Sequence, residues 1–245
     1  MNVLAIAAHP DDAELGCFGT LLEMLRAGHN VYAVALAPGG YGTHSRSQIQ
    51  TAWARAKEVL KTAARSGRSD TDYVVAKFPI GRLEHNWESV GFVDSLISEF
   101  RIDGVITHHY GEAHQDHLAA QRIAVSAARR KVDSLLLWES SIYTHRNVFP
   151  FRTQVYVPVS EVAFDGKIAA LEPYLSAGLL DQDEVEAHRF LARYRGAEMH
   201  RKFAEAFEVV WQVYGSETIP RVSSPKPARN GQRHKISQSS SAHAE

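Results

Sequence analysis

Apolar and polar positions divide most of the chain into short apolar runs alternating with longer stretches of helical period. Residues 3–8 are uniformly small or apolar, as a parallel strand buried on both faces reads. Over residues 13–27, Leu15, Phe18, Leu21, Leu22 and Leu25 recur at helical spacing, and Gly28 follows as a stop. Strand-type runs return at 31–37, 73–77, 104–107, toward Trp138, at 155–159 and at 208–213. Helical patterns cover 46–64, 87–100, 118–130, 161–177 and 181–207, with Pro173 ending or kinking the fourth and Gly196 interrupting the fifth. Strands alternating with helices predict an α/β fold with a mostly parallel sheet.

The chemistry gathers at two of the predicted strand ends. His9-Pro10-Asp11-Asp12-Ala13-Glu14 follows the first run at once, and Pro10 stops the strand. In open α/β sheets ligands bind just outside this edge. One Asp there would serve as a helix cap, but a histidine with three carboxylates exceeds that need, and hard oxygens with one imidazole suit a divalent metal better than a phosphate. The fourth strand runs into His108-His109-Tyr110-Gly111-Glu112-Ala113-His114-Gln115-Asp116-His117, four histidines in ten residues. His114 and His117 lie one helical turn apart and face the same side. The glycine-rich stretch 38–43 can approach a ligand, yet it lacks both the Lys-Ser/Thr ending of a phosphate loop and a dinucleotide fingerprint.

Composition narrows the class. At 245 residues and 44% hydrophobic content the chain can bury a full core. A formal net charge of -1 gives no reason to expect nucleic acid or a membrane as partner. A lone cysteine, Cys17, excludes an intramolecular disulfide and a cysteine-rich zinc site. The amino-terminal run is short for a signal peptide and no stretch reaches the length of a membrane span, so a soluble cytoplasmic protein is expected. From about Ser216 the composition turns to Ser, Pro, Gln and basic residues, and 216–245 is expected to be a disordered basic tail after a domain covering 1–215.

Ala8-His9-Pro10-Asp11-Asp12-Ala13-Glu14-Leu15-Gly16-Cys17 with Gly19-Thr20, taken together with His114-Gln115-Asp116-His117, resembles the LmbE-like/PIG-L family of metal-dependent N-deacetylases. Weaker matches at Trp138-Glu139-Ser140, Arg195-Gly196 and 204–207 extend the resemblance over roughly residues 2–213. It implies a Rossmann-like three-layer α/β/α sandwich and a metal, zinc or alternatively Fe2+ or another divalent ion. The implied partner is a small-molecule N-acetylated sugar, of N-acetylglucosamine type, or its conjugate. The implied ligands are His9, Asp12 and His117, with Asp11 as general base. His114, as an imidazolium steadied by Asp116, would stabilise the oxyanion, and Glu14 would stand behind the ligands or at the helix N-terminus. Departures concern the substrate. Phe18 replaces a common glycine and Glu112 an aspartate; Gly40 and Gln50 stand where relatives place an acid and an arginine, leaving Arg46, Gln50 and Tyr143, beside His145 and Arg146, as substrate-binding candidates. A nucleotide-binding Rossmann-like protein and a non-catalytic metal-binding scaffold are the alternatives, and homo-oligomer formation is open.

Overall fold

The computed structural model describes residues 1–39, 46–64, 69–140 and 149–213. Gly40, Tyr143, His145, Arg146 and the tail therefore lie outside the described residues. In chain order the elements are β1 (Asn2–Ala7), α1 (Asp12–Gly16), α2 (Phe18–Arg26), β2 (Asn30–Ala35), α3 (Arg46–Ala63), β3 (Thr71–Val75) and α4 (Trp87–Glu99). They continue as β4 (Gly104–Thr107), α5 (Gln115–Ala128), β5 (Ser134–Trp138), β6 (Val155–Val159), α6 (Glu161–Ser176), α7 (Gln182–Glu198) and β7 (Phe203–Gln212).

The seven strands form one sheet in the order β3-β2-β1-β4-β5-β7-β6. β1 to β5 pair in parallel, and β7 runs antiparallel between β5 and β6. Alternate residues of β1 enter opposite layers, as the two-residue period of a strand requires. Val3, Ala5 and Ala7 pack toward α2, α3 and α6, while Leu4 and Ile6 pack toward α4 and α5. That double cover explains why the strands read as continuous apolar runs, and it makes the three layers that the resemblance implies. The chain leaves β1 outward to β2 and β3 and returns to β4 on the other side. The strand order therefore reverses between β1 and β4, where a crevice opens at the carboxyl ends.

Three expectations are corrected. The helix expected over 13–27 is two helices, broken at Cys17 (φ −144°, ψ 10°). Gly19 N and Thr20 N donate to the Glu205 carboxylate instead of continuing the first ladder. Gly16 lies so close to Trp138 that a Cβ would sit 2.6 Å from the indole. Next, α5 starts at Gln115 and not at 118, because the Nδ1 of His114 caps it by accepting from Asp116 N at 3.2 Å. Finally, residues 203–207 are strand and not helix. Arg201 N closes α7 onto Gly196 O at 2.8 Å, His200 turns the chain with φ +53°, and Phe203 to Phe207 then pair with β6. Both faces of that strand are buried, so the alternation that would have marked it is missing. Pro173 falls in the last turn of α6, as expected. Among the described residues no helix is long and apolar enough to cross a membrane.

Candidate active site

β1 and β4 are neighbours, so the two motifs meet where they leave the sheet. Asp12 Oδ2 accepts from His9 N at 2.7 Å, which bends the chain sharply past β1. Asp11, inside that bend, has φ +110°. L-residues avoid this region at a cost on the order of 1–3 kcal/mol, and such strain concentrates at functional sites. Asp11 holds the N-cap position of α1 yet makes no capping hydrogen bond, so its carboxylate is not spent on the helix. Burial and the neighbouring Asp12, Glu14 and Glu184 hold its pKa well above the usual carboxylate range.

The hydrogen bonds of the imidazoles determine which ring nitrogens are free. Asp116 accepts from Gly81 N at 2.6 Å and Leu83 N at 3.1 Å, and its pKa is lowered, because hydrogen bonds from His9 and these amides outweigh burial. His9 Nε2 lies 3.0 Å from the same carboxylate. An anion can only accept, so Nε2 of His9 carries the proton and Nδ1, 3.6 Å from Asp12 Oδ2, keeps its lone pair. His117 is arranged alike: Nδ1 bonds buried Glu112, and Nε2 lies 3.3 Å from Asp12 Oδ1. Burial works against charge on Glu112, but His108 and His117 overcome it and bring its pKa to about 2. Two histidines thus each have one nitrogen held by a carboxylate and the other aimed at Asp12, the arrangement that orients metal ligands. Without a metal, His117 takes a proton in that place. Burial opposes the charge, yet Asp12 and Glu112 raise its pKa to about 10, so the pocket between these groups favours a cation.

Among the described residues, two triads have ligand atoms within 4.8 Å of one another: His9, His114 and His117, and Asp12, His108 and His117. Chemistry separates their members. His108 Nε2 accepts from Ala8 N at 3.0 Å and its Nδ1 faces Glu112, so both ring nitrogens are engaged. His114 Nδ1 accepts from Asp116 N, which places the ring proton on Nε2. His9, Asp12 and His117 retain donor atoms suited to a divalent ion, and this N, O, N set leaves a catalytic metal room for substrate.

His9, Asp11, Asp12, His114 and His117 line one cleft of about 240 Å³. One expectation fails here: the Asp116 carboxylate bonds His9 and two backbone amides, not the His114 ring. Burial, with His117 and His9, lowers the His114 pKa despite the opposing pull of Asp116. A lowered pKa and an Nδ1 that accepts from Asp116 N both run against the expected imidazolium. Glu14 is fully buried and accepts from Tyr73 Oη at 3.1 Å and Tyr174 Oη at 3.2 Å, its pKa raised by burial to about 7. Arg46 and Gln50 line a second cleft, which shares Pro10 and Ile49 with the first. Sequence reasoning noted Glu112 only as a departure and gave His108 no role. It also missed Glu184 and Tyr174, which line the first cleft from the far end of the chain.

Over 180 residues the chain is 30% identical to a protein of Escherichia coli (strain K12) described as "Uncharacterized deacetylase YaiS", covering 71% of this chain and 91% of that one. Among solved structures, the N,N'-diacetylchitobiose deacetylase of Pyrococcus horikoshii aligns with TM-score 0.66 at 16% identity, covering 85% of this chain and 83% of its own. GalB, the 4-carboxy-2-hydroxymuconate hydratase of Pseudomonas putida KT2440, aligns with TM-score 0.68 at 14% identity, covering 91% and 98%. The fold thus carries more than one reaction, and it is the site that must discriminate. Residues 4–128, which hold both motifs and the strands that bring them together, match the family described as "PIG-L: GlcNAc-PI de-N-acetylase", and the chain belongs to that family.

Proposed function

We propose that this protein is a metal-dependent N-deacetylase that cleaves the linear amide of an N-acetylated sugar or sugar conjugate, releasing acetate and a free amine. One observation carries the reading: Asp116 and Glu112 turn His9 Nδ1 and His117 Nε2 toward Asp12, and Asp11 and His114 share the same cleft. His9, Asp12 and His117 would hold the ion. A bound zinc, or another divalent metal such as iron, supplies water activation and polarisation of the amide carbonyl. Asp11, with its raised pKa and no capping duty, accepts the proton of the attacking water. His114 donates from Nε2 to the carbonyl oxygen as it gains charge. The C–N bond breaks and the water's proton reaches the departing amine.

Arg46 and Gln50 are assigned to the substrate beyond the acetamido group, and Tyr143 is proposed to join them. The reading is tested by loading the purified chain with zinc or iron and measuring acetate release from N-acetylglucosamine and from conjugated N-acetyl sugars. Turnover with one metal per chain is expected, conjugates being favoured because remote contacts add binding energy. A chain that binds one metal and releases no acetate from any of them would instead be a scaffold.

A further inference from the structure

Helix α7 presents two unlike faces. Val185, His188, Ala192 and Gly196 are buried, whereas on the opposite side Phe190 is 66% and Tyr194 59% exposed. Residues one turn apart are neighbours on a helix surface, so the two rings form one apolar patch, widened by half-buried Ala187 and Leu191. The charges along the helix are sorted by sign. Asp183, Glu184 and Glu186 make its first half acidic, and Arg189, Arg193 and Arg195 make its second half basic. Glu186 bonds Arg189 at 3.0 Å, yet both side chains remain 39% exposed, so the carboxylate stays open to a second cation.

A helix polarised in this way is complementary to itself run backwards. At about 100° per residue, Glu186 and Arg193 fall on one flank of Phe190, and Ala187 and Tyr194 fall on the other. Each of these pairs is two turns apart and straddles Phe190. A two-fold axis lying across the helix beside Phe190 reverses the chain direction and keeps each flank on its own side. It sets Glu186 beside the partner's Arg193, small Ala187 beside the partner's Tyr194, and Phe190 against its own copy. The two helix dipoles then run antiparallel, acidic end beside basic end.

We propose that this face of α7 is a two-fold interface and that its occupant is a second copy of this chain. The inference does not depend on the deacetylase reading. It bears on the site through Glu184, which lies in the first turn of α7 and lines the first cleft, so pairing steadies one wall of each copy's cleft.

Analytical ultracentrifugation of the full chain over a range of concentrations tests the proposal. One helix pair is a small interface, and a dissociation constant on the order of 1–10 µM is expected for the dimer. Phe190→Glu sets two carboxylates against each other at the axis and should weaken association about a hundredfold or more. Glu186→Arg and Arg193→Glu each place like charges together on one flank and should each weaken it about tenfold. Mixed with each other, these two single variants should pair at near-native affinity, because each then supplies the charge the other lacks. The three substituted positions are on the outer face of the helix, and a thermal melt checks that every variant folds. A native chain that sediments as a monomer at about 100 µM overturns the proposal and leaves the patch to a different protein or a lipid surface. An assembly of any size whose mass is unchanged by Phe190→Glu also overturns it, since its contacts then lie elsewhere. So does a mixture of the two charge variants that associates no better than either alone.

Discussion

Two of the polar networks buried among the described residues are built on opposite principles. Between α1, α2, α6 and α7, Lys167 Nζ donates to Leu15 O at 2.8 Å and to Glu205 at 2.6 Å, and Glu205 also accepts from Gly19 N and Thr20 N. Arg195 closes on Glu139 beside them. These charges find their partners inside the protein, and the remaining space is about 10 Å³, room for about one water. At the β1/β4 crevice the carboxylates instead turn imidazole nitrogens toward Asp12, beside a cleft of about 240 Å³. A network closed on itself ties elements together, while one whose donor atoms converge beside a cleft is prepared for a ligand.

The largest expected effect is on chemistry alone. Asp11→Asn should lower kcat by about 10² to 10⁴ with metal content and melting temperature little changed, since the amide cannot take up the proton. His114→Ala should cost about 10² to 10³. Steady-state kinetics with metal analysis check both, and near-native turnover in Asp11→Asn would place the base elsewhere. In the closed network the effect should appear in stability. Lys167→Met leaves Glu205 buried without its cation and should cost about 3–5 kcal/mol in urea unfolding, and Lys167→Met/Glu205→Gln should recover part of it. A Lys167→Met chain of native stability that lost its metal would erase the distinction between the networks.

The smallest effect concerns acid. Burial and Lys167 lower the pKa of His188 to about 3. Between pH 6.5 and 3 the unfolded chain therefore binds a proton that the folded chain does not, so the stability from burying neutral His188 is complete above pH 6.5 and is lost as pH falls. Glu112, at about 2, adds a further loss below pH 4.5. Glu14, raised to about 7, acts in the opposite sense and weakens the fold as pH rises from 4.5 to 7. In metal-free protein His188→Leu should flatten the fall in urea midpoint between pH 6.5 and 4; an unaltered slope would show that His188 is not the group responsible.

How far these networks were legible in the sequence follows from chain distance. His9, Asp11, Asp12, His114 and His117 could be read because each motif is local and each follows a recognisable buried strand. The partner of the His9 ring could not, because Asp116 lies 107 residues away and local spacing points it at His114. Glu112 looked like a family departure until its five-residue reach to His117 Nδ1 was seen in three dimensions. Lys167 and Glu184 come from elements with no motif, Glu205 lies in the weak match at 204–207, and a buried polar residue carries no local signal of its partner. The break at Cys17 was hidden because Glu205, 186 residues from Gly19, supplies the acceptor that ends the helical ladder.

The central claim is that His9, Asp12 and His117 hold one divalent ion. Metal content of the purified chain and of His117→Ala, measured by inductively coupled plasma mass spectrometry after equilibration with limiting zinc, tests it most directly. The account predicts about one ion per native chain and almost none in a His117→Ala chain that still melts cooperatively. Full occupancy in that variant would contradict it.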